Sequence, residues 1–305
     1  MANPSVTTRG RSPLVTLHNG VQMPALGLGV FQSKPEETTS AVESAIRNGY
    51  RLVDTAAAYF NEEQVGEAIV RSGIERTELF VTTKLWITNY GYDRALRGFD
   101  SSLRKLKLDY LDLYLLHWPV PSDFETTIES YRAAEQLLAD GRVRAIGVCN
   151  FSPRHLEDLL ARTKVVPAVN QVELNPFFIQ REVREANASH RVITQSWSPI
   201  GGVNVYWDPD PSTARNPLKH RAVVSLAKKY GKTPAQVVLR WHIDHGFSAI
   251  PKSVRPERIT ENIDIFDFSL SKDEIANLDA LDTGVRGGPD PEKFSPSMTK
   301  VKVAD

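Results

Sequence analysis

An aspartate, a tyrosine, a lysine and a histidine stand at or just past the ends of three short apolar runs, and together they form a proton-donating set. Asp54 closes Arg51-Leu-Val-Asp54, Lys84 closes Leu79-Phe-Val-Thr-Thr-Lys84, and His117 closes Leu111-Asp-Leu-Tyr-Leu-Leu-His117. Tyr59 follows in Asp54-Thr-Ala-Ala-Ala-Tyr59. A phenol titrates near pKa ~10, too high for efficient acid–base work near neutrality, and an adjacent ammonium lowers it by roughly 1–3 units. Lys84 is expected to do this for Tyr59, with a carboxylate beside the lysine keeping it charged and oriented. Singly, each residue has a plainer reading. Asp54 could cap a helix, Tyr59 could be a loop aromatic with a solvated hydroxyl, and His117 could be a core histidine bonded to backbone. Lys84, at the end of an apolar strand, fits a surface charge less well. The combination is what points to acid–base chemistry.

Apolar runs ending in a functional side chain are the strands of a (β/α)8 barrel, whose active sites are built on the C-terminal strand ends. Strands are expected near 25–29, 51–54, 79–83, 111–116, 143–148, 168–172, 192–197 and 247–251. Helical patterns fall between them near 36–48, 62–72, 92–106, 125–140, 153–161, 180–190 and 234–245, with another near 256–263. Eight strands alternating with helices argue for an α/β chain with a closed parallel sheet, a TIM barrel. Ahead of it, Val15 to Met23 reads as a β-hairpin with Asn19-Gly20 in a type I′ turn, able to plug the N-terminal end of the barrel. Two further helices are expected near 217–229 and 271–281, the latter opened by the Ser271/Glu274 capping box. The irregular segment from Gly201 to Pro211 and the Gly/Pro-rich stretch from Asp282 are assigned to the substrate pocket.

A chain of 305 residues fits one large barrel or two average domains. The reading adopted is one domain over 1–305, with 1–13 a flexible tail and 282–305 a C-terminal loop. Basic and acidic residues balance at 37 each, which argues against binding nucleic acid or acidic membranes by bulk charge. Cys149 is the sole cysteine, so no internal disulfide or multi-cysteine metal site is possible, as suits a reducing cytoplasm. The N-terminal residues lack the apolar core of a signal peptide, and no stretch has the ~18 apolar residues of a membrane span. The expectation is a cytoplasmic monomer acting on a small molecule, with no nucleic-acid or membrane partner.

Gly49-Tyr-Arg-Leu-Val-Asp-Thr-Ala56, its continuation Tyr59-Phe-Asn-Glu-Glu-Gln-Val-Gly66, and Leu111 to Pro119 resemble, in order, the signatures of the aldo-keto reductases. The resemblance runs from about Val15 into the tail, and in look it is nearest to bacterial 2,5-diketo-D-gluconate reductases. It implies that Tyr59 is the general acid, Lys84 and Asp54 its tuning pair, and His117 the group that orients the carbonyl.

Such an enzyme needs a hydride source. Gly27-Leu-Gly29 is followed by Gln32 where the Gly-x-Gly-x-x-Gly dinucleotide fingerprint needs its third glycine, so these are read as strand-end glycines that let backbone approach the site. The better candidate is Ile250 to Asn262, because barrels commonly hold phosphate at the loops after their last strands and at a nearby helix N-terminus. Lys252, Ser253 and Arg258 offer two cations and a hydroxyl to an anion, and Glu261 and Asn262 can meet an adenine edge; the plainer reading is an exposed polar helix start. The resemblance implies that Lys252 and Arg258 meet the 2′-phosphate of NADPH/NADP+, with Val254 in the same segment. It also places Asn150 and Gln171 on the nicotinamide carboxamide and Trp197, followed by Ser198, against the nicotinamide ring. This chain departs from the family in having Cys149 where serine is common, and Trp197 where tyrosine is commoner.

Phe31, Trp86 and Trp118, each just past a strand end, are the candidates for a substrate pocket suited to apolar aldehydes and ketones. His242 and His245 share a helix face, but no third ligand is suggested, and no metal is expected. The implied activity is reversible, NADPH-dependent reduction of aldehydes and ketones to alcohols. The alternative is a barrel that binds NADPH as a regulatory or structural subunit with little turnover. A third reading, another barrel hydrolase or isomerase, would predict no NADPH affinity; Ser-His-Asp hydrolysis in particular lacks its Gly-x-Ser-x-Gly elbow.

Overall fold

The structure is a computed structural model that describes residues 8–9, 12–202 and 216–304. Eight parallel strands form one sheet in chain order: β4 (Leu28–Gly29), β5 (Leu52–Asp54), β6 (Phe80–Leu85), β7 (Leu111–Leu116), β8 (Val143–Cys149), β9 (Val169–Glu173), β10 (Ile193–Trp197) and β11 (Ser248–Ala249). The first and last strands meet through parallel bridges at Leu26/Ala249 and Gly29/Lys252, which close the sheet into a barrel. Gly29 serves that closure, since a Cβ there would lie 2.8 Å from the Ile250 carbonyl oxygen. Its missing side chain makes room for the neighbouring strand.

Helices α1 (Pro35–Arg47), α2 (Glu62–Ser72), α3 (Tyr92–Leu106), α4 (Phe124–Ala139), α5 (Pro153–Arg162), α6 (Arg181–Ser189), α8 (Pro234–Asp244) and α9 (Pro256–Ile263) alternate with the strands, and α7 (Arg221–Tyr230) and α10 (Lys272–Asp279) are the two extra helices. Every residue of β5, β6, β7 and β9 is buried, because both faces of a barrel strand are covered. Their faces nevertheless divide with period two. Leu52, Phe80, Leu113, Leu115 and Val169 pack along the axis, while Val53, Val81, Tyr114 and Leu116 pack against the helical layer. The same alternation carries Asp54, Lys84 and His117 to the inward positions at the C-terminal end.

The hairpin pairs β2 (Ser12–Thr16) with β3 (Gln22–Pro24), and β1 (Thr8–Arg9) adds to β2, giving three antiparallel strands. Leu17 and Met23 insert into the axial core and so plug the barrel floor. The turn corrects the type I′ expectation. Gly20 alone has a positive φ (86°), and the Gly20 amide donates to the Leu17 carbonyl, so His18-Asn19-Gly20 form a three-residue loop with a glycine bulge. The reason is tertiary: Asn19 Nδ2 donates to the Arg144 carbonyl, and the His18 ring bonds Val166 O. The segment between Gly202 and Asn216 falls outside the described residues, so the reading of Gly201 to Pro211 lies largely there. Beyond α10, residues 282–304 cross the C-terminal mouth of the barrel.

Candidate active site

The four proton-handling candidates converge at that mouth. Lys84 Nζ lies 2.5 Å from Asp54 Oδ1 and 2.9 Å from the Thr55 carbonyl oxygen, and both side chains are essentially inaccessible. The Tyr59 hydroxyl is 3.4 Å from the same ammonium. Tyr59 comes from a single 3-10 turn, Ala57–Tyr59, closed by Phe60 in the left-handed region. Buried Asn61 fixes that turn, donating to the Val30 carbonyl and accepting from Thr55 Oγ1. Burial alone would depress the Lys84 pKa, but Asp54 and Tyr59 hold it above its ordinary value, so Lys84 stays cationic. Burial pushes the Asp54 carboxyl up, while Lys84 and Gln171 pull it back.

The expected lowering of Tyr59 is corrected. Lys84 acts in the anticipated direction, but burial is the larger effect and Asp54 adds to it, so the phenol is pushed up to about 12. Tyr59 therefore holds its proton throughout the neutral range. His117 is held well below the usual imidazole range by burial and by the Lys84 charge, so it is neutral. Its ring meets Tyr59 edge-on at 5.7 Å and Trp86 at 5.1 Å between centroids, and buried Nδ1 has no hydrogen-bond partner among the described residues. The arrangement presents a protonated phenol and a neutral imidazole to one space, backed by a fixed cation.

That space is a cavity of about 520 Å³ lined by Asp54, Tyr59 and His117, with Lys84 directly behind. Phe31, Trp86 and Trp118 wall it, as the sequence reading proposes. Asn150, Gln171, Trp197, Ser198 and Lys252 line it too, so one continuous cavity joins the proton-handling set to the start of the Ile250–Asn262 segment. Asn150 and Ser198 both adopt positive φ, which turns the chain sharply at two strand ends. Their neighbours show how these groups are held. Trp197 Nε1 donates to Asn150 Oδ1, and Asn150 Nδ2 donates to the His117 carbonyl. Gln171 Nε2 donates to Asp54 Oδ2 and to Gln195 Oε1, which binds the amide into the barrel interior.

Ser253, Val254, Arg258, Glu261 and Asn262 lie beyond the cavity on and before α9. Arg258 is exposed, Val254 is half-buried, and Asn262 is buried. Ser253 Oγ accepts from the Arg255 amide, and Glu261 Oε1 accepts from Thr233 Oγ1. No side chain caps the N-terminus of α9, so its first amides are not covered by a capping group. Of the two histidines weighed for a metal, His242 bonds the Pro199 carbonyl and His245 bonds Asp279, so the pair diverges.

The sequence reading gave the tail a pocket role without naming residues. Phe294 stacks on Trp118 at 4.2 Å, and Met298 and Val301 complete the same wall. Trp86 Nε1 donates to the Val301 carbonyl. These contacts lack periodicity, so no local pattern marks them.

Against known proteins, residues 25–283 match the aldo/keto reductase family. The chain is 56% identical over 289 residues to morphine 6-dehydrogenase of Pseudomonas putida, covering 94% of this chain and 97% of that one. It is 46% identical over 296 residues to methylglyoxal reductase DkgA of Escherichia coli, covering 96% and 99%. Among solved structures, a Bombyx mori aldo-keto reductase in complex with NADP superposes with a TM-score of 0.85 at 34% identity, covering 93% of this chain and 98% of that one. Barrel, site geometry and sequence agree: the chain belongs to the aldo/keto reductase family.

Proposed function

We propose that this chain reduces carbonyl compounds to alcohols with NADPH as hydride source, reversibly, with Tyr59 as the proton donor. The observation that carries the reading is the buried Asp54–Lys84–Tyr59 chain facing neutral His117 inside an aromatic-walled cavity. When bound, the reduced nicotinamide supplies a hydride to the carbonyl carbon. Tyr59 gives its proton to the carbonyl oxygen, and the Lys84 ammonium stabilises the phenolate left behind. His117, neutral, orients the carbonyl and shares the developing negative charge with Tyr59. Asp54 keeps Lys84 charged and in place.

The residues present fit the cofactor. Trp197 offers a ring face for the nicotinamide; Asn150 and Gln171 address the carboxamide, with Gln171 presenting its carbonyl oxygen because its nitrogen serves Asp54 and Gln195. Ser198 stands beside them. Burial disfavours the Lys252 cation, and an anion beside it relieves that cost. Lys252, Ser253 and Arg258, with the uncapped start of α9, hold the 2′-phosphate; Val254, Glu261 and Asn262 hold the adenosine end. Phe31, Trp86 and Trp118 receive the substrate. The relatives' names suggest a panel running from methylglyoxal to polycyclic ketones. The chain acts as a single domain over 1–305, as a cytoplasmic monomer; the lone cysteine supports the location, and the balanced formal charge argues against a nucleic-acid or acidic-membrane partner.

The test follows NADPH consumption by its near-ultraviolet absorbance on that panel, for wild type and Tyr59→Phe, with cofactor binding measured by fluorescence. Loss of a general acid costs about 10²–10⁴-fold, so Tyr59→Phe is expected to fall by at least about 100-fold with NADPH binding retained. Binding without turnover in the wild type would favour a regulatory NADPH-binding barrel, and absence of binding would overturn the reading.

A further inference from the structure

Glu173 ends β9 at the same inward ring position that Lys84 and His117 hold on their strands, and it is 2% exposed. It does not line the cavity. Its carboxylate is occupied by the tail: Gly287 N donates to Oε1 and Gly288 N to Oε2, each at 2.9 Å. Burial pushes this carboxyl up, opposed by the two amides and by Arg286, whose guanidinium lies 4.0 Å away. Two consecutive amides on the two oxygens of a buried carboxylate form a directional clasp, because charge-assisted hydrogen bonds exceed neutral ones in strength.

The second half of the clasp is steric. A Cβ on Gly288 would lie 2.6 Å from Trp197 Cη2 and 3.3 Å from Glu173 Oε2. Glycine is therefore the residue that lets the tail reach the carboxylate and rest against the indole at once. From this point the chain continues to Phe294, Met298 and Val301, which wall the cavity. The indole that Gly288 touches is the one bonded to Asn150, which in turn bonds the His117 carbonyl.

We propose that Glu173 is a positioning residue for substrate choice: it clasps Gly287 and Gly288, sets the height of the tail over the mouth, and so fixes the wall that large substrates touch. This rests on the carbonyl-reductase reading above. A small aldehyde reaches Tyr59 and His117 without leaning on Phe294 or Met298, whereas a bulky aromatic ketone requires that wall. Loosening the clasp therefore penalises the bulky substrate selectively.

The experiment measures kcat/KM for methylglyoxal and for a bulky aromatic ketone in wild type, Glu173→Gln and Gly288→Ala. The ratio between two substrates is independent of how much enzyme is correctly folded, so general destabilisation does not move it. Glu173→Gln removes the charge and replaces one acceptor with a donor facing an amide; Gly288→Ala wedges the tail from the other side. Both are expected to shift the ratio about tenfold toward methylglyoxal, the factor that corresponds to one lost hydrogen bond. A ratio within about twofold of wild type in both variants would overturn the proposal. Absence of turnover in the wild type would instead overturn the underlying reading.

Discussion

Replacing Lys84 with methionine should expose how much of this site is held by one ion pair. The ammonium is fully buried and lies 2.5 Å from an equally buried Asp54. Removing one partner of a buried pair strands the other charge, at a cost of about 3–5 kcal/mol. For a chain of this size, at about 2 °C per kcal/mol, that lowers the melting temperature by roughly 6–10 °C. Asp54→Asn/Lys84→Met removes both charges, and replacing a buried pair with neutral groups is often close to neutral in stability, so the double variant should recover most of the loss. Activity should behave differently. Tyr59, already pushed up to about 12 by burial, loses the Lys84 cation that favours its phenolate in both variants, so both should remain slow. The assay pairs urea unfolding curves for the four members of the cycle with single-turnover NADPH oxidation. Lys84→Met within 1 kcal/mol of wild type, by order of magnitude, or a double variant that regains turnover, would refute the reasoning.

The pH dependence gives a second check: kcat/KM for reduction should show no inflection near 6.5, because His117 titrates well below its ordinary value, and should decline only in the alkaline range as Tyr59 ionises. For His242, burial lowers the pKa from 6.5 to about 3, so the unfolded chain binds a proton that the folded one refuses. Its contribution is present above about pH 6.5 and is lost as pH falls toward 3; His242→Phe should reduce the acid slope of unfolding free energy by about 1.4 kcal/mol per pH unit, measured by urea titration. Arg258→Ala should weaken NADPH affinity with little change for NADH, by fluorescence titration, and full retention of NADPH preference would count against the 2′-phosphate assignment. Gly66→Ala should destabilise the chain by about 1–3 kcal/mol in thermal unfolding, because its Cβ would press on the Leu106 backbone where α2 crosses α3.

The sequence by itself settled the features that local rules encode. Apolar runs of strand length ending in Asp54, Lys84 and His117 located the mouth of a barrel, because strand alternation carries the last inward side chain to the same end each time. Ser271 and Glu274 marked the start of α10, since a capping box is a contact within one turn. Ordered motifs around Asp54, Tyr59 and His117 pointed to the family. Tertiary structure decided the rest. The turn at Asn19-Gly20 took another form because its side chains bond the barrel floor, and the Tyr59 pKa rose because burial, a property of the assembled site, outweighs the lysine beside it. Gln171 and Asn150 proved to be tied to Asp54 and His117, and from far along the chain Phe294 and Val301 reached the cavity and Gly288 reached the Trp197 indole. Such contacts arise between segments with no shared period, so their energies depend on where folding brings each segment and not on the residues adjacent in sequence.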